Sequence, residues 1–168
     1  LNKFKSKIQS YHIERDFPDL NHTSNISPYI RFGCLSIREL VMFALHYPSE
    51  GADIWLSELI WRDFYQMIVA THPNCHTESV KPAYDLIEWV GHDEDFMAWC
   101  NGQTGFPIVD AAMRQLNTTG LMHNRCRMIV ASFLCKTLLV NWRKGEAYFA
   151  EKLLDFDFAS NNGGWGWA

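Results

Sequence analysis

The chain has no excess of positive charge: 15 Lys and Arg stand against 19 Asp and Glu, a formal net charge of −4. No global field advertises nucleic-acid binding, so any such contact has to come from a local patch. It has no C-x-x-C pair either. The five cysteines, Cys34, Cys75, Cys100, Cys126 and Cys135, are scattered and odd in number, and they read as thiols in a reducing compartment rather than a disulfide framework. His72, Cys75 and His76 lack the second half of a zinc site, and the remaining histidines show no ligand spacing, so no metal is expected. A signal peptide and a long apolar run are both missing, which argues against secretion and membrane insertion. No strand pair and no β-α alternation can be found.

What is present is helical almost throughout. At 168 residues and 48% hydrophobic content, the chain can bury a substantial core in one domain. Ser36-Ile37-Arg38-Glu39 is a capping-box signature that opens a helix through Tyr47, ended by Pro48. Gly51 to Thr71 is long and amphipathic, with Trp55, Glu58, Arg62 and Tyr65 at helical spacing. Pro107 suits a first helical position, and that segment stops at Gly120. Met122–Val140 reads as a second long helix and Lys144–Leu154 as a shorter one. Asn74–Asp85, polar and holding Pro82, reads as an exposed loop. The expected fold class is all-α. The chain opens on Leu1 and stops just after Trp167, so an internal fragment of a longer protein is expected.

Several clusters could carry chemistry. Thr23-Ser24-Asn25-Ile26-Ser27-Pro28 sets hydroxyls and backbone N–H groups where a phosphate could sit; an ordinary helix cap is the alternative. Trp55 to Tyr65 surrounds Glu58 and Arg62 with Trp61, Phe64 and Tyr65. Glu58 and Arg62 are four apart and could pair. An aromatic face beside Arg also suits stacking on a base, although such stripes are more often core. Met122-His123-Asn124-Arg125-Cys126-Arg127-Met128 starts a helix with cations, against the helix dipole, and a nearby acid or phosphate would resolve that conflict. Asp155-Phe156-Asp157-Phe158 supplies such acids, and one of them could meet Arg127 in the interior. Asn161-Asn162-Gly163-Gly164-Trp165-Gly166-Trp167 combines amides, glycines and indoles. Those suit the floor of a pocket for a flat heteroaromatic cofactor.

Taken in order, these segments resemble the flavin-binding domain of the photolyase/cryptochrome family, and most of all class I photolyases for cyclobutane pyrimidine dimers. The blocks are Arg15-Asp16-Phe17-Pro18, Thr23–Ser27, Trp55–Tyr65, Gly105–Arg114, Met122–Met128 and Asn161–Trp167. The resemblance implies a helical domain holding FAD, truncated at both ends. An N-terminal α/β antenna domain, carrying a second chromophore of folate or deazaflavin type, would be missing, as would the C-terminal end of the FAD domain. Tyr11 and Thr23, Ser24, Asn25, Ile26 and Ser27 would hold the phosphate and ribityl side. Trp55, Arg127, Asp155, Phe156, Asp157 and Asn161 would line the flavin. Glu58, Trp61, Asn124, Met128 and Trp167 would meet the lesion, and Arg15, Arg62 and Arg125 the DNA backbone. Trp165, Trp142 and Trp89 match the tryptophans that relay electrons to the flavin. The implied activity is light-driven DNA repair: blue-light-excited reduced FAD donates an electron to a flipped-out dimer, assisted by Glu58, and the cyclobutane ring splits. The alternative is a cryptochrome-type photoreceptor without repair. UV-damaged DNA would be the partner of a monomer, off the membrane, in a bacterial cytoplasm or a eukaryotic nucleus or organelle.

Within the family, relatives that repair the other pyrimidine photoproduct carry histidines at the positions of Asn124 and Met128. Asn161 matches the repair enzymes, whereas plant and animal cryptochromes place Asp or Cys there. Gly166 stands where Gln is usual, Leu121 where Trp is usual, and Asn25 where Arg is common.

Overall fold

The computed structural model describes residues 1–167. Among the described residues every regular element is helical and no strand occurs. The chain divides into two compact units, Leu1–Tyr65 and the residues from Gln66 onward.

In the first unit a 3-10 turn at Ile8–Ser10 runs into α1 (Tyr11–Glu14), followed by α2 (Ser27–Arg31), α3 (Ile37–His46) and α4 (Glu50–Thr71). The unit boundary falls inside α4. The α3 start is the expected capping box. Ser36 Oγ accepts from the Arg38 N–H at 3.2 Å, and the Glu39 carboxylate accepts from the Ser36 N–H at 3.2 Å. Two donors that the helix itself leaves unpaired are thereby satisfied. The core gathers Phe4, Ile8, Leu40, Trp55 and Leu59. Trp55 lies 5.2 Å from Phe4 and 5.9 Å from Phe43, ring centre to ring centre.

In the second unit lie α5 (Asp93–Asn101), α6 (Pro107–Thr119), α7 (Asn124–Ser132), α8 (Trp142–Lys152) and α9 (Phe158–Trp165). Gly102 and Gly120 end α5 and α6 with φ of 62° and 67°, a region glycine enters without steric cost. The loop into α6 folds around Asp110, whose carboxylate accepts from the Thr104 N–H and hydroxyl and from the Gly105 N–H. Burial works to raise that carboxyl, but the three donors outweigh it and hold the group below its ordinary range. Trp99, Met113, Leu116, Val130, Leu134, Phe149 and Trp165 form the core. Gly145 makes this packing possible, because a Cβ there would stand 2.2 Å from the Trp165 ring and 2.6 Å from Leu134.

Four segments differ from the sequence expectation. Met122–Val140 is not one helix. Its α-helical part starts at Asn124, capped by His123 Nδ1 accepting from the Arg125 N–H at 3.1 Å. It ends in a wide π turn, Phe133–Thr137, that turns both Leu134 and Cys135 inward. Asp93–Asn101, unassigned from sequence, is α5. The glycine-bearing tail is helical through Trp165, because Asp157 caps it by accepting from the Ser160 N–H at 3.0 Å and hydroxyl at 2.7 Å. The helix expected over Lys144–Leu154 begins two residues earlier, where Asn141 Oδ1 accepts from the Arg143 N–H. Asn74–Asp85 is polar and mostly exposed, with short 3-10 turns at Pro73–His76 and Pro82–Leu86. Cys34 is exposed, the other four cysteines are buried, and none is paired. Among the described residues no helix is long and apolar enough to cross a membrane, and no group of His, Cys, Asp and Glu could hold a metal ion.

Candidate functional site

The second unit concentrates polar groups around the start of α9. Arg127 lies on α7, and its Nη2 donates to both carboxylate oxygens of Asp155, at 2.8 and 3.1 Å. Its Nε donates to the Met122 carbonyl at 2.9 Å. The Asp155 side chain is only 4% exposed and that of Arg127 28%. A carboxylate so enclosed is sustainable because the Arg127 guanidinium neutralises it through both oxygens. The cation that sits badly with the α7 dipole therefore has its acid. Phe156, the next residue, packs partly buried against the core.

The two acids of Asp155-Phe156-Asp157 have separate duties. Asp157 caps α9 and also accepts from Gln66 Nε2 at 3.1 Å. Asn161 follows one turn later. Its Nδ2 donates to the Glu146 carbonyl at 3.2 Å, and its Oδ1 accepts no hydrogen bond among the described residues. Trp165 lies four residues further on, hence on the same face of α9. It is 4% exposed, and its Nε1 finds no acceptor among the described residues. A Cβ added at Gly164 would meet nothing within 4 Å. An open carbonyl, an enclosed ion pair and a glycine free of neighbours suit a flat, hydrogen-bonding heteroaromatic ring.

Glu146 was not singled out from sequence, and Asn162 was read with Asn161 as an amide for a ligand edge rather than as a buried structural link. Asn162 is buried, and its Nδ2 donates to the Cys75 carbonyl at 3.2 Å and to Glu146 Oε1 at 2.8 Å. Burial pushes the Glu146 carboxyl up, with Asn162 and Arg143 pulling the other way. The Asn-Asn doublet ahead of two glycines was the available signal, since a buried amide needs specific partners. Trp89 and Trp142 are partly buried against the same core. The guanidinium of Arg143 stands over the Trp142 ring at 4.5 Å.

Asn124 and Met128 are exposed and four apart on α7, so they share a face. Arg125 also lies on α7, and Trp167 is 68% exposed just beyond α9.

In the first unit Glu58 does not pair with Arg62. Its Oε1 accepts from Arg15 Nη1 at 2.5 Å, a partner 43 residues away that no local spacing reveals. Arg62 stands 3.5 Å from Asp63, and Arg15 also approaches Asp16 at 3.6 Å. Tyr11 is buried beneath Arg15, whose guanidinium lies 5.4 Å from the ring centre. Burial pushes its phenol up to about 12 against the pull of Arg15. Trp61 is exposed, and its ring lies edge-on to Phe64 at 5.4 Å. Trp55 is buried in the unit's core.

The Thr23–Ser27 turn is shaped by amides. Thr23 Oγ1 donates to Asn25 Oδ1, and Asn25 Nδ2 donates to Asn21 Oδ1. Asn25 has a φ of 52°, a conformation its side chain tolerates better than most. Ile26 is buried as an anchor. The Ser24 and Ser27 hydroxyls make no hydrogen bond among the described residues and can turn toward an anion.

Residues 55–168 match the FAD binding domain of DNA photolyase. A deoxyribodipyrimidine photo-lyase of Vibrio cholerae is 53% identical over 97% of this chain and 36% of its own length. The solved structure of a class III photolyase from Agrobacterium tumefaciens aligns with a TM-score of 0.95 at 38% identity, over 99% of this chain and 36% of that one. A Synechocystis cryptochrome aligns with a TM-score of 0.80 at 33% identity, over 99% of this chain and 38% of that one. The chain thus spans little more than a third of the length of these relatives. With most of its sequence matched and its helices superposing, this chain belongs to the photolyase family of FAD-binding domains.

Proposed function

We propose that this chain is the flavin-holding part of a light-driven DNA repair lyase that opens cyclobutane pyrimidine dimers. The observation that carries it is the α9 start: Asp155, enclosed in its pair with Arg127 of α7, lies two residues before the helix cap, and Asn161 with its uncommitted carbonyl and Trp165 with its unpartnered N–H follow one turn apart on the helix. Reduced FAD, when bound and excited by blue light, supplies one electron to the dimer and recovers it after the ring opens.

The protein's part is orientation and electrostatics. Arg127 pairs with Asp155, so an anionic ring beside the pair meets a neutral group rather than a bare carboxylate. With one N–H of its amide held by the Glu146 carbonyl, Asn161 presents its side-chain carbonyl as an acceptor that suits a ring N–H. Phe156 and Asp157 fix the approach to α9. In the first unit Ser24 and Ser27 offer hydroxyl donors to phosphate. Thr23, Asn25 and Ile26 shape that turn, and Tyr11 and Trp55 support it from the unit's interior.

Toward DNA, Trp61 and Trp167 present exposed indole faces on which an extruded base can stack. Asn124 supplies an amide that matches the donor and acceptor edge of a pyrimidine, and Met128 an adaptable apolar contact beside it. Glu58, oriented by Arg15, would accept a hydrogen bond from a ring N–H of the dimer. Arg15, Arg62 and Arg125 serve backbone phosphates. Trp165, Trp142 and Trp89 pass electrons inward to restore the reduced flavin.

The full-length protein tests this directly. With reduced FAD bound, blue light restores pyrimidines in a thymine-dimer oligonucleotide while a dark control does not. Bound reduced FAD with no restoration in the light would overturn repair and leave the photoreceptor reading.

A further inference from the structure

Arg143 is the second residue of α8, and its guanidinium stands 4.5 Å from the centre of the Trp142 ring. Two groups hold it there. Its Nη1 donates to the His76 carbonyl at 3.2 Å, and its Nη2 to Asp85 Oδ1 at 3.3 Å. Asp85 is itself fixed from the other side. Its carboxylate accepts from the Ser79 hydroxyl at 2.7 Å and from the Ser79 N–H at 2.9 Å. Those two bonds, and after them the Arg143 guanidinium, hold the Asp85 carboxyl below its ordinary range, so it is ionised at neutral pH. The polar stretch between α4 and α5 is thus folded to present one carboxylate to one guanidinium.

A cation over an indole is favourable while the ring is neutral, because the face of the ring is negative. The balance reverses when the ring loses an electron. Positive charge on the indole then faces positive charge on the guanidinium a few ångströms away, which raises the cost of oxidation. The neighbouring charges do little to relieve this. Lys144 is paired with Asp93. Glu146, which also feels Arg143, is raised by burial and so holds its negative charge less readily. Asp85 is the carboxylate in contact with the guanidinium.

We propose that Asp85 is a positioning residue for the electron relay: by offsetting the charge of Arg143 it keeps Trp142 oxidisable. The proposal rests on the reading of Trp165, Trp142 and Trp89 as that relay, with photoexcited oxidised flavin as the oxidant. Trp165 gives one electron to the flavin, Trp142 gives one to Trp165, and Trp89 gives one to Trp142. The flavin gains one electron, Trp89 loses one, and Trp142 is restored after passing through a radical cation. The cost of that passage is set by Arg143 and Asp85 together. The His76 carbonyl keeps the guanidinium over the ring when Asp85 loses its charge, so the field changes while the cation stays in place.

Flash photolysis of the full-length protein carrying oxidised FAD at low ionic strength tests this, read as flavin photoreduction and as indole radical absorption. Asp85→Asn keeps the side-chain shape and an acceptor for Ser79. It slows photoreduction roughly threefold to tenfold, the effect of one partly screened unit charge, and Asp85→Glu rescues the rate. Arg143→Gln does not slow it. Combining Arg143→Gln with Asp85→Asn restores at least the wild-type rate, which loss of a merely structural contact would not do. Asp85→Asn at the wild-type rate, Arg143→Gln slower than wild type, or a double variant as slow as Asp85→Asn overturns the proposal and leaves the relay standing. Trp142→Phe at the wild-type rate overturns the relay itself, and a purified protein without a flavin band overturns the flavin reading.

Discussion

At the scale of single residues, ionisation is set by what encloses each group. Glu146 is raised by burial, so the folded chain holds its proton to higher pH than the unfolded chain does. Its contribution is therefore fully present below the ordinary Glu range and is lost as pH rises through the raised folded value. Glu146→Gln keeps an acceptor for Asn162 and removes the titration. Urea unfolding of the full-length protein at a series of pH values should show wild-type stability falling across that window and the variant staying flat; parallel profiles would refute the assignment. Some residue-level chemistry was legible in the sequence and some was not. A cationic start to α7 called for an acid, and Asp155-Phe156-Asp157 offered two. Spacing could not say which one pairs with Arg127 and which caps α9, because that depends on where the chain enters the helix. The partner of Glu58 was out of reach for a related reason. An i, i+4 neighbour is visible in a string of letters, whereas Arg15 is brought to Glu58 only by folding.

At the scale of elements, caps decide more than propensity. The Ser36 box and the glycines after α5 and α6 follow local rules, and α3 and α6 were readable from them. The acidic Asp93-Glu94-Asp95 turn was a usable start signal for α5, since carboxylates suit a helix N-terminus. The helix over Asn161–Trp165 defied propensity, because Gly163 and Gly164 disfavour helix by roughly 1 kcal/mol each relative to Ala. Asp157 capping and the burial of Trp165 offset that cost. The close passage of α8 beneath Trp165 depends on Gly145. Gly145→Ala should destabilise the protein by about 1–3 kcal/mol through overpacking, measurable as a lower urea midpoint with an unchanged slope. A variant as stable as the parent would show that the Trp165 ring shifts freely.

At the scale of the whole molecule, a net charge of −4 means that binding to DNA would rest on a few local cations. Arg62→Ala should reduce the salt dependence of full-length protein binding to duplex DNA by about 0.9 in the log–log slope, one phosphate contact's worth. An unchanged slope would remove Arg62 from the interface. For the electron supply, Trp165→Phe should slow flavin photoreduction sharply while leaving repair by pre-reduced enzyme largely intact, since the proposed relay reaches the flavin through that ring. Equal photoreduction would discard the role of Trp165. The distribution of thiols has a practical corollary. With Cys34 exposed and the other four enclosed, a maleimide dye or nitroxide should attach, among the described residues, only at Cys34 in the first unit, which gives this segment a spectroscopic label without an engineered cysteine.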